Sequence, residues 1–376
     1  VQIQDITTLK AIELTLKEYS EFPSLQKRLA SVTHSKIVNL LAIGKSAYHM
    51  AVAASSCLKR MGIAYSGYLL TKYGNIPADL PNIHCREAGH PVPDENSVLH
   101  SKEIVNWLQS LSPDEDLIIL LSGGGSALFE IPAEGYCLQD VIELNRKLLH
   151  SGLSIAEMNS KRAKLSKLKS GKALGYVCCK SVYCYALSDV EGNDPAVIAS
   201  GPFYLTGVEK LCFTYEIIGD NLSFRRMLAE RLGKVAHVHS GFMSDNADLA
   251  AERLADFAKS AAKGIHLFGG EAPVTVTGTG RGGRCTHLAL AFALKIRGYK
   301  GISLIAYATD GNDNLPGTAG AITDGETCAK LQEAGIDPRQ SLLDCDSFTA
   351  LGAINATILS TEYHINVNDL YILTIN

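Results

Sequence analysis

The chain has 376 residues, enough for two domains at roughly 100–200 residues each. Its 35 Lys and Arg against 39 Asp and Glu leave a formal charge of -4, which does not mark a binder of nucleic acid or another polyanion. Hydrophobic residues at 46% and charged residues at 20% exclude a disordered chain and describe an ordinary globular one.

The first thirty residues read as a helix. Lys10, Glu13, Lys17 and Glu18 interrupt any apolar core there, so no secretory leader is expected. Ile37–Ile43 reads as a strand stopped by Gly44, followed by helix over Ser46–Met61. Strands are expected at Tyr65–Leu70 and Asn82–Arg86, then a helix from Glu95 to Ser110. Leu117–Leu121 is the most apolar strand, and a run apolar throughout fits a central parallel strand buried on both faces. Helices over Leu138–Gly152 and Ile155–Leu168 and a strand over Ser181–Leu187 complete a β-α-β-α series. The first half is therefore read as a three-layer α/β domain with a mostly parallel sheet.

Beyond about residue 220 the texture changes. Strands are expected at Val235–His239, Ile265–Phe268, Val274–Thr277, Ile302–Tyr307 and Leu370–Ile375, with helices over Asp245–Lys263 and His287–Ile296. The domains are placed at 1–220 and 221–376. The 10 cysteines form no C-x-x-C, so reduced buried thiols and a cytoplasmic location are expected. No apolar run reaches the ~18 residues of a membrane span, and no membrane partner is expected.

Ligands of parallel α/β sheets bind at the carboxyl ends of strands, and polar clusters fall there. Gly44-Lys45-Ser46 ends the first strand. Lys45 either sits at a helix mouth beside anion-seeking amides or is an exposed lysine in a turn. Ser122-Gly123-Gly124-Gly125-Ser126 follows the apolar strand. One glycine would suffice for close packing, so the run is read as an anion site built from amides and two hydroxyls. In Gly89-His90-Pro91-Val92-Pro93-Asp94, Asp94 can cap the next helix, while His90 is either a ligand contact or a satisfied histidine.

From Asn159 to Lys172 six of fourteen residues are basic. Such a face is ordinarily solvated, yet in an acidic chain it can receive an anionic substrate, and Arg162 has the donor fork for a carboxylate or phosphate. Asp189 and Asp194 end the strand before Pro195. They suit Mg²⁺ or a base for a hydroxyl, or else form Asx-turns. Gly278, Gly280 and Gly283 fit G-x-G-x-x-G, with Asp310 at the end of the next strand. The preceding Val274–Thr277 is half polar, and Arg281 and Arg284 stand inside the loop, which suits a bound anion better than a close-packed dinucleotide turn.

Taken in order, these motifs resemble the glycerate 2-kinase family with a MOFRL C-terminal domain. The resemblance is carried by Gly44-Lys45-Ser46-Ala47, Gly89–Glu95, Leu121–Leu128 and Asn159…Arg162…Lys169. It continues through Leu187-Ser188-Asp189-Val190, Asp194-Pro195, Ile198–Pro202, Gly269-Gly270-Glu271, Gly282-Gly283-Arg284, Thr309-Asp310-Gly311 with Asp313, and Asn366–Asp369. It implies a Rossmann-like first domain, a smaller second α/β domain with a mixed sheet, and an active site in the cleft between them. It implies ATP- and Mg²⁺-dependent phosphoryl transfer to the 2-hydroxyl of D-glycerate, giving 2-phosphoglycerate. Lys45 and Arg284 match positions thought to be catalytic in the family, and Arg284 is expected to bridge the domains across the substrate.

The expected catalytic residues are thus Lys45, Arg284 and Asp189. Ser122, Gly123, Gly124, Gly125, Ser126, Arg162, Gly280, Gly282, Gly283 and His90 are the expected substrate and phosphate ligands, and Asp189, Asp194 and Asp310 the expected metal ligands. The partners are a small hydroxy acid and a nucleotide, with no nucleic acid, and a homo-oligomer is compatible with the chain.

The chain departs from the family where Gly-Gly-Arg-Asn-Gln-Glu becomes Gly282-Gly283-Arg284-Cys285-Thr286-His287, and where Gly-Asp-Asp-Pro becomes Gly192-Asn193-Asp194-Pro195. It departs again in the run Asp313–Gly317 and before Asn366. Weak affinity for D-glycerate, or a different hydroxy acid, is the expectation from these losses. Two alternatives stand beside the kinase: an NAD(P)H-dependent hydroxypyruvate reductase, a name members have carried, and a catalytically silent anion-binding relative.

Overall fold

The computed structural model describes residues 3–32, 35–149, 155–179, 181–205, 212–315, 317–361, 363 and 365–376. The chain divides into two compact units, Glu21–Asp220 and Val1–Ser20 with Asn221–Asn376.

In the first unit six strands form one parallel sheet: β1 (Ile37–Ile43), β2 (Ala64–Lys72), β3 (Ile83–Ala88), β4 (Asp116–Leu121), β5 (Ser181–Leu187) and β6 (Cys212–Gly219). Their order is β3-β2-β1-β4-β5-β6, the doubly wound order of dinucleotide-binding folds. All residues of β4 are buried, as its unbroken apolar run requires of a central strand. β6 was not recognised in the sequence: Cys212–Gly219 mixes Thr214 and Glu216 with apolar residues, and only its pairing with β5 makes it a strand.

The N-terminal helical stretch is two helices, α1 (Ile3–Ser20) and α2 (Pro23–Ser31). Phe22 takes a left-handed φ of 49° ahead of Pro23, and proline suits a helix start while breaking a helix interior. The sequence grouped α1 with the first domain, whereas α1 packs in the other unit. Tyr19 stacks edge-on against Phe224, its hydroxyl shares a 2.8 Å hydrogen bond with Ser223, and Ser303 Oγ donates to buried Asp5.

The remaining helices of the first unit are α3 (Ala47–Arg60), α4 (Glu95–Ser110), α5 (Gly125–Leu128), α6 (Leu138–Leu149) and α7 (Ile155–Lys164). Asp94 caps α4 as its position suggests: its carboxylate accepts from Ser97 N at 2.9 Å, and Ser97 Oγ accepts from Asp94 N. The far end of the helix expected over 138–152 lies outside the described residues. α7 stops before Leu168 because the chain there turns extended, with Lys167 N donating to Ile131 O and Ala133 N to Leu165 O, each at 2.8 Å.

The second unit holds a mixed sheet of β7 (Ala236–Met243), β8 (Gly264–Gly270), β9 (Ile302–Ala308), β10 (Thr318–Asp324), β11 (Thr357–Leu359) and β12 (Asp369–Ile375). The order is β11-β10-β9-β12-β8-β7, with only β7 and β8 parallel. Its helices are α8 (Asn221–Leu232), α9 (Ala247–Ser260), α10 (Arg284–Lys295), α11 (Thr327–Glu333), α12 (Pro338–Leu343) and α13 (Ser347–Ala353). Ala251, Leu254, Leu288, Phe292, Leu304 and Tyr371 form the core between α9, α10 and the sheet. Burial of each large apolar side chain contributes about 1.5–3 kcal/mol.

The strand expected at Val274–Thr277 does not exist; the chain there has no regular structure. Val274 is half-buried and Thr275, Val276 and Thr277 are all exposed, so the alternation does not become a buried face; Thr277 Oγ1 donates to Leu343 O at 2.9 Å. All ten cysteines are unpaired thiols. Among the described residues no helix is long and apolar enough to cross a membrane.

Candidate active site

The sheet order of the first unit reverses between β1 and β4, the point at which ligands of such sheets bind. Hydrogen bonds stitch the two loops. Lys45 N donates to Gly123 O at 2.8 Å, Ser46 N to Ser122 Oγ at 3.1 Å, and Ser122 N to Ile43 O at 2.9 Å. Gly44 has a φ of 124°, and a Cβ there would stand 2.2 Å from Ser122 Oγ. Only glycine fits.

Each glycine of the run after β4 meets a different neighbour. A Cβ on Gly123 would lie 1.8 Å from Asp189 Oδ2. On Gly124, whose φ is 89°, it would lie 3.0 Å from Lys45 Cγ and 3.2 Å from His90 Nε2. On Gly125 it would lie 2.7 Å from Ala199 Cβ. The missing side chains therefore let Lys45, His90 and Asp189 close around one loop. Among the described residues the amides of Gly123, Gly124, Gly125 and Ser126 meet no backbone acceptor. A row of such amides beside a lysine is an anion cradle in physical terms.

Arg162 is held one layer further back. Its Nε donates to Asn145 Oδ1 at 2.8 Å and its Nη1 to Asn159 Oδ1 at 3.2 Å. Asn159 Oδ1 also accepts from Ser200 Oγ, which shares a 2.8 Å hydrogen bond with Ser126 Oγ. Burial among these neutral partners pushes the guanidinium pKa down, and an arriving anion would relieve that cost.

Asp189 suits a metal bound with phosphates. Mg²⁺ takes hard oxygen ligands, commonly one or two carboxylates with substrate phosphates, and this carboxylate faces the amide row across Gly123. Asp194 is exposed, and its Oδ1 accepts from Ala196 N at 2.9 Å; Asp310 Oδ1 accepts from Asn312 N at 3.0 Å. Both make Asx-turns, the other reading that the sequence left for Asp194. Asp189 and Asp194 belong to one unit and Asp310 to the other. Among the described residues no three His, Cys, Asp or Glu side chains are grouped to hold a metal by themselves.

In the second unit Arg284 opens α10. Its Nε and Nη2 donate to Asp369 Oδ2 and Oδ1 at 3.0 and 3.1 Å, and its Nη1 lies 3.1 Å from Glu271 Oε1. Asp369 is 1% exposed, whereas the Arg284 and Glu271 side chains are 37% and 47% exposed. Burial raises the Asp369 carboxyl to about 6 against the pull of Arg284. Burial also opposes the Arg284 charge, but Asp369 and Glu271 outweigh it and keep the guanidinium protonated. Asn368 Nδ2 donates to Glu271 Oε2 at 3.1 Å, and Asn221 Nδ2 donates to the carbonyls of Val367 and Asp369.

The glycines before α10 serve the protein itself. Gly280 N donates to Asp344 O, Arg281 N to Asp346 Oδ1 and Gly283 N to Thr286 Oγ1. A Cβ on Gly278, Gly280, Gly282 or Gly283 would fall within 2.5 Å of Asp344, Asp346, Ser347 or Asp313. The two leading amides Cys285 N and Thr286 N both donate to Asp313 at 2.8 Å, so this helix end already carries a carboxylate. With no strand before it, the G-x-G-x-x-G pattern is a packing motif here and not a dinucleotide turn. Cys285 and Thr286 are fully buried and His287 is 5% exposed, so these departures from the family pattern sit inside the unit.

The sequence thus located Lys45, His90, the run Ser122–Ser126 and Asp189, and the structure brings them together. It assigned no role to Asp313, Glu271 or Asp369, although all three stand in the quoted motifs. Which of several acidic residues meets one arginine depends on strand pairing, here β12 beside β8.

Two family models match the chain: "Domain of unknown function (DUF4147)" over residues 2–215 and the MOFRL family over residues 264–369. A D-glycerate 2-kinase of Thermotoga maritima is 33% identical over 96% of this chain and 97% of its own. A glycerate 2-kinase of Pyrococcus horikoshii is 30% identical over 89% of this chain and 86% of its own. The crystal structure of a glycerate kinase from Thermotoga maritima superposes with a TM-score of 0.86 at 31% identity, covering 98% of each chain.

Proposed function

The chain belongs to the glycerate 2-kinase family that joins DUF4147 and MOFRL domains, and on that premise we propose that it transfers the γ-phosphoryl group of ATP to the 2-hydroxyl of D-glycerate. The observation that carries the reading is the amide row Gly123–Ser126 with Lys45 and Asp189 beside it. Phosphoryl transfer asks for positioning and charge neutralisation more than covalent help.

In this reading the amides of Gly123, Gly124, Gly125 and Ser126 hold phosphate oxygens, while the Ser126 hydroxyl is spent on Ser200. Lys45 follows the charge on the moving phosphoryl group, its flexible stem suiting a shifting target. Mg²⁺ bound with the nucleotide would neutralise phosphate charge, with Asp189 as its carboxylate ligand. His90 borders the loop at Gly124 and orients the acceptor. Arg162 answers the substrate carboxylate through the Asn159 network. Arg284 offers an anion only what its pairs leave over, since Nε and Nη2 are spent on Asp369 and Nη1 lies against Glu271.

A steady-state assay with ATP, Mg²⁺ and D-glycerate tests the reading, with the product identified as 2-phosphoglycerate by its direct conversion by enolase. No product under conditions where the Thermotoga relative turns over would end it.

A further inference from the structure

We propose that Lys169 is a positioning residue. Buried behind the glycine loop, it sets where the amides of Gly123–Gly125 stand by gripping the carbonyl of Ser126. What the loop binds rests on the phosphoryl-transfer reading; the grip itself does not.

Lys169 and Glu130 are 2% and 1% exposed and form an ion pair. The same Lys169 Nζ donates to Ser126 O at 2.9 Å. The other oxygen of the pair, Glu130 Oε1, is buried with no hydrogen-bond partner among the described residues. As a stabilising device this arrangement is poor, because apolar groups of similar volume often replace a buried ion pair at no loss of stability. The second bond of the lysine accounts for its presence. α5 is four residues long, too short to hold its own shape by helical hydrogen bonds. Ser126 is held instead from outside at two atoms, its carbonyl by Lys169 and its hydroxyl by Ser200.

Both anchors come from one body. Ala199, Ser200 and Gly201 are consecutive left-handed residues with φ of 52°, 63° and 58°, a conformation that non-glycine residues keep only when their surroundings impose it. The segment carrying Lys169 docks on that run: Ser170 N donates to Ser200 O at 3.0 Å and Gly171 N to Gly201 O at 2.7 Å. The lysine and the Ser200 hydroxyl therefore move as a unit, and Ser126 moves with them.

Lys169→Met, Glu130→Gln and the double variant test the assignment. Three readouts are compared: melting temperature, amide exchange at Ala127, Leu128 and Phe129, whose hydrogen bonds close α5, and KM and kcat with ATP, Mg²⁺ and D-glycerate. Lys169→Met alone strands a buried carboxylate and should melt early. The double variant strands no charge and should regain most of the lost melting temperature. It should still exchange the three amides at least about tenfold faster and show a KM for ATP raised at least about tenfold. A double variant with wild-type exchange and wild-type KM would overturn the proposal. Should the double variant not fold, Lys169→Met and Glu130→Gln are compared, since each strands one buried charge. The variant that lacks the lysine should exchange Ala127, Leu128 and Phe129 at least about tenfold faster than the variant that keeps it on Ser126. Equal exchange in the two would overturn the proposal equally. A wild-type protein without turnover removes the kinase reading, and the exchange measurement still decides the role of Lys169.

Discussion

The Asp189 carboxylate occupies the space a side chain at Gly123 would need: a Cβ there would stand 1.8 Å from Oδ2. The two residues leave neighbouring parallel strands, β4 and β5, so sheet register fixes their approach. A methyl group at Gly123 must push the carboxylate away from the amide row. Gly123→Ala should therefore lower kcat/KM by about a hundredfold or more, roughly 2.7 kcal/mol, and raise the Mg²⁺ concentration needed for half-maximal rate. Asp189→Asn should do the same. Asp194→Asn, which touches only an exposed turn, should leave the Mg²⁺ dependence near that of wild type. Titrating Mg²⁺ against rate in the three variants checks all of this, and an unchanged titration in Asp189→Asn would sink the metal assignment.

Lys45 touches the same loop through Gly124, and its own amide is bonded to Gly123 O. Because that backbone bond survives truncation of the side chain, Lys45→Ala should keep the fold. Its kcat should fall by orders of magnitude while circular dichroism and melting temperature stay close to wild type. A variant retaining more than about a tenth of kcat would reduce Lys45 to a minor electrostatic contact.

Arg284 uses two nitrogens on Asp369 and one on Glu271. Lysine keeps the charge and loses the fork, so one oxygen of a fully buried carboxylate would be left without its donor. Arg284→Lys should cost well over tenfold in kcat/KM and lower the melting temperature. Kinetics and calorimetry on the same preparation read both effects, and a nearly silent variant would mean that only charge matters at this position.

Asp369 makes stability and activity run in opposite directions with pH. Its carboxyl is raised from an ordinary 3.8 to about 6 by burial, so the folded chain binds this proton more tightly than the unfolded chain. The corresponding stabilisation is complete below about pH 4 and is lost as pH rises through about 6. Ionised Asp369 is also the form that holds Arg284, so kcat/KM should rise across the same interval. Relative to Asp369→Asn, wild type should lose stability between about pH 4 and pH 6 in denaturant titrations, and it alone should show the acidic limb in its rate profile. A pH-independent stability difference between the two proteins would refute the assignment.

Sequence periodicity sufficed for β1, β4, β5 and α4, because each carries its whole pattern within one short window: an unbroken apolar run, or a cap followed by helical spacing. The order of the glycine and lysine motifs likewise located Lys45, Ser122–Ser126 and Asp189, since strand ends of a parallel sheet converge by construction. Tertiary structure decided the rest. α1 left the first domain for the second unit because Tyr19 and Asp5 find partners there, and nothing local in the helix names them. Gly280, Gly282 and Gly283 look like a phosphate loop in one dimension, yet their amides and bare Cα atoms serve Asp344, Asp346, Ser347 and Asp313, residues 30 to 66 positions away. Lys169 looks like one more solvated base in a basic run and is instead buried on Glu130 and Ser126. A residue type states which bonds it is able to make; which of them it makes depends on the partners that long-range packing brings within about 3 Å.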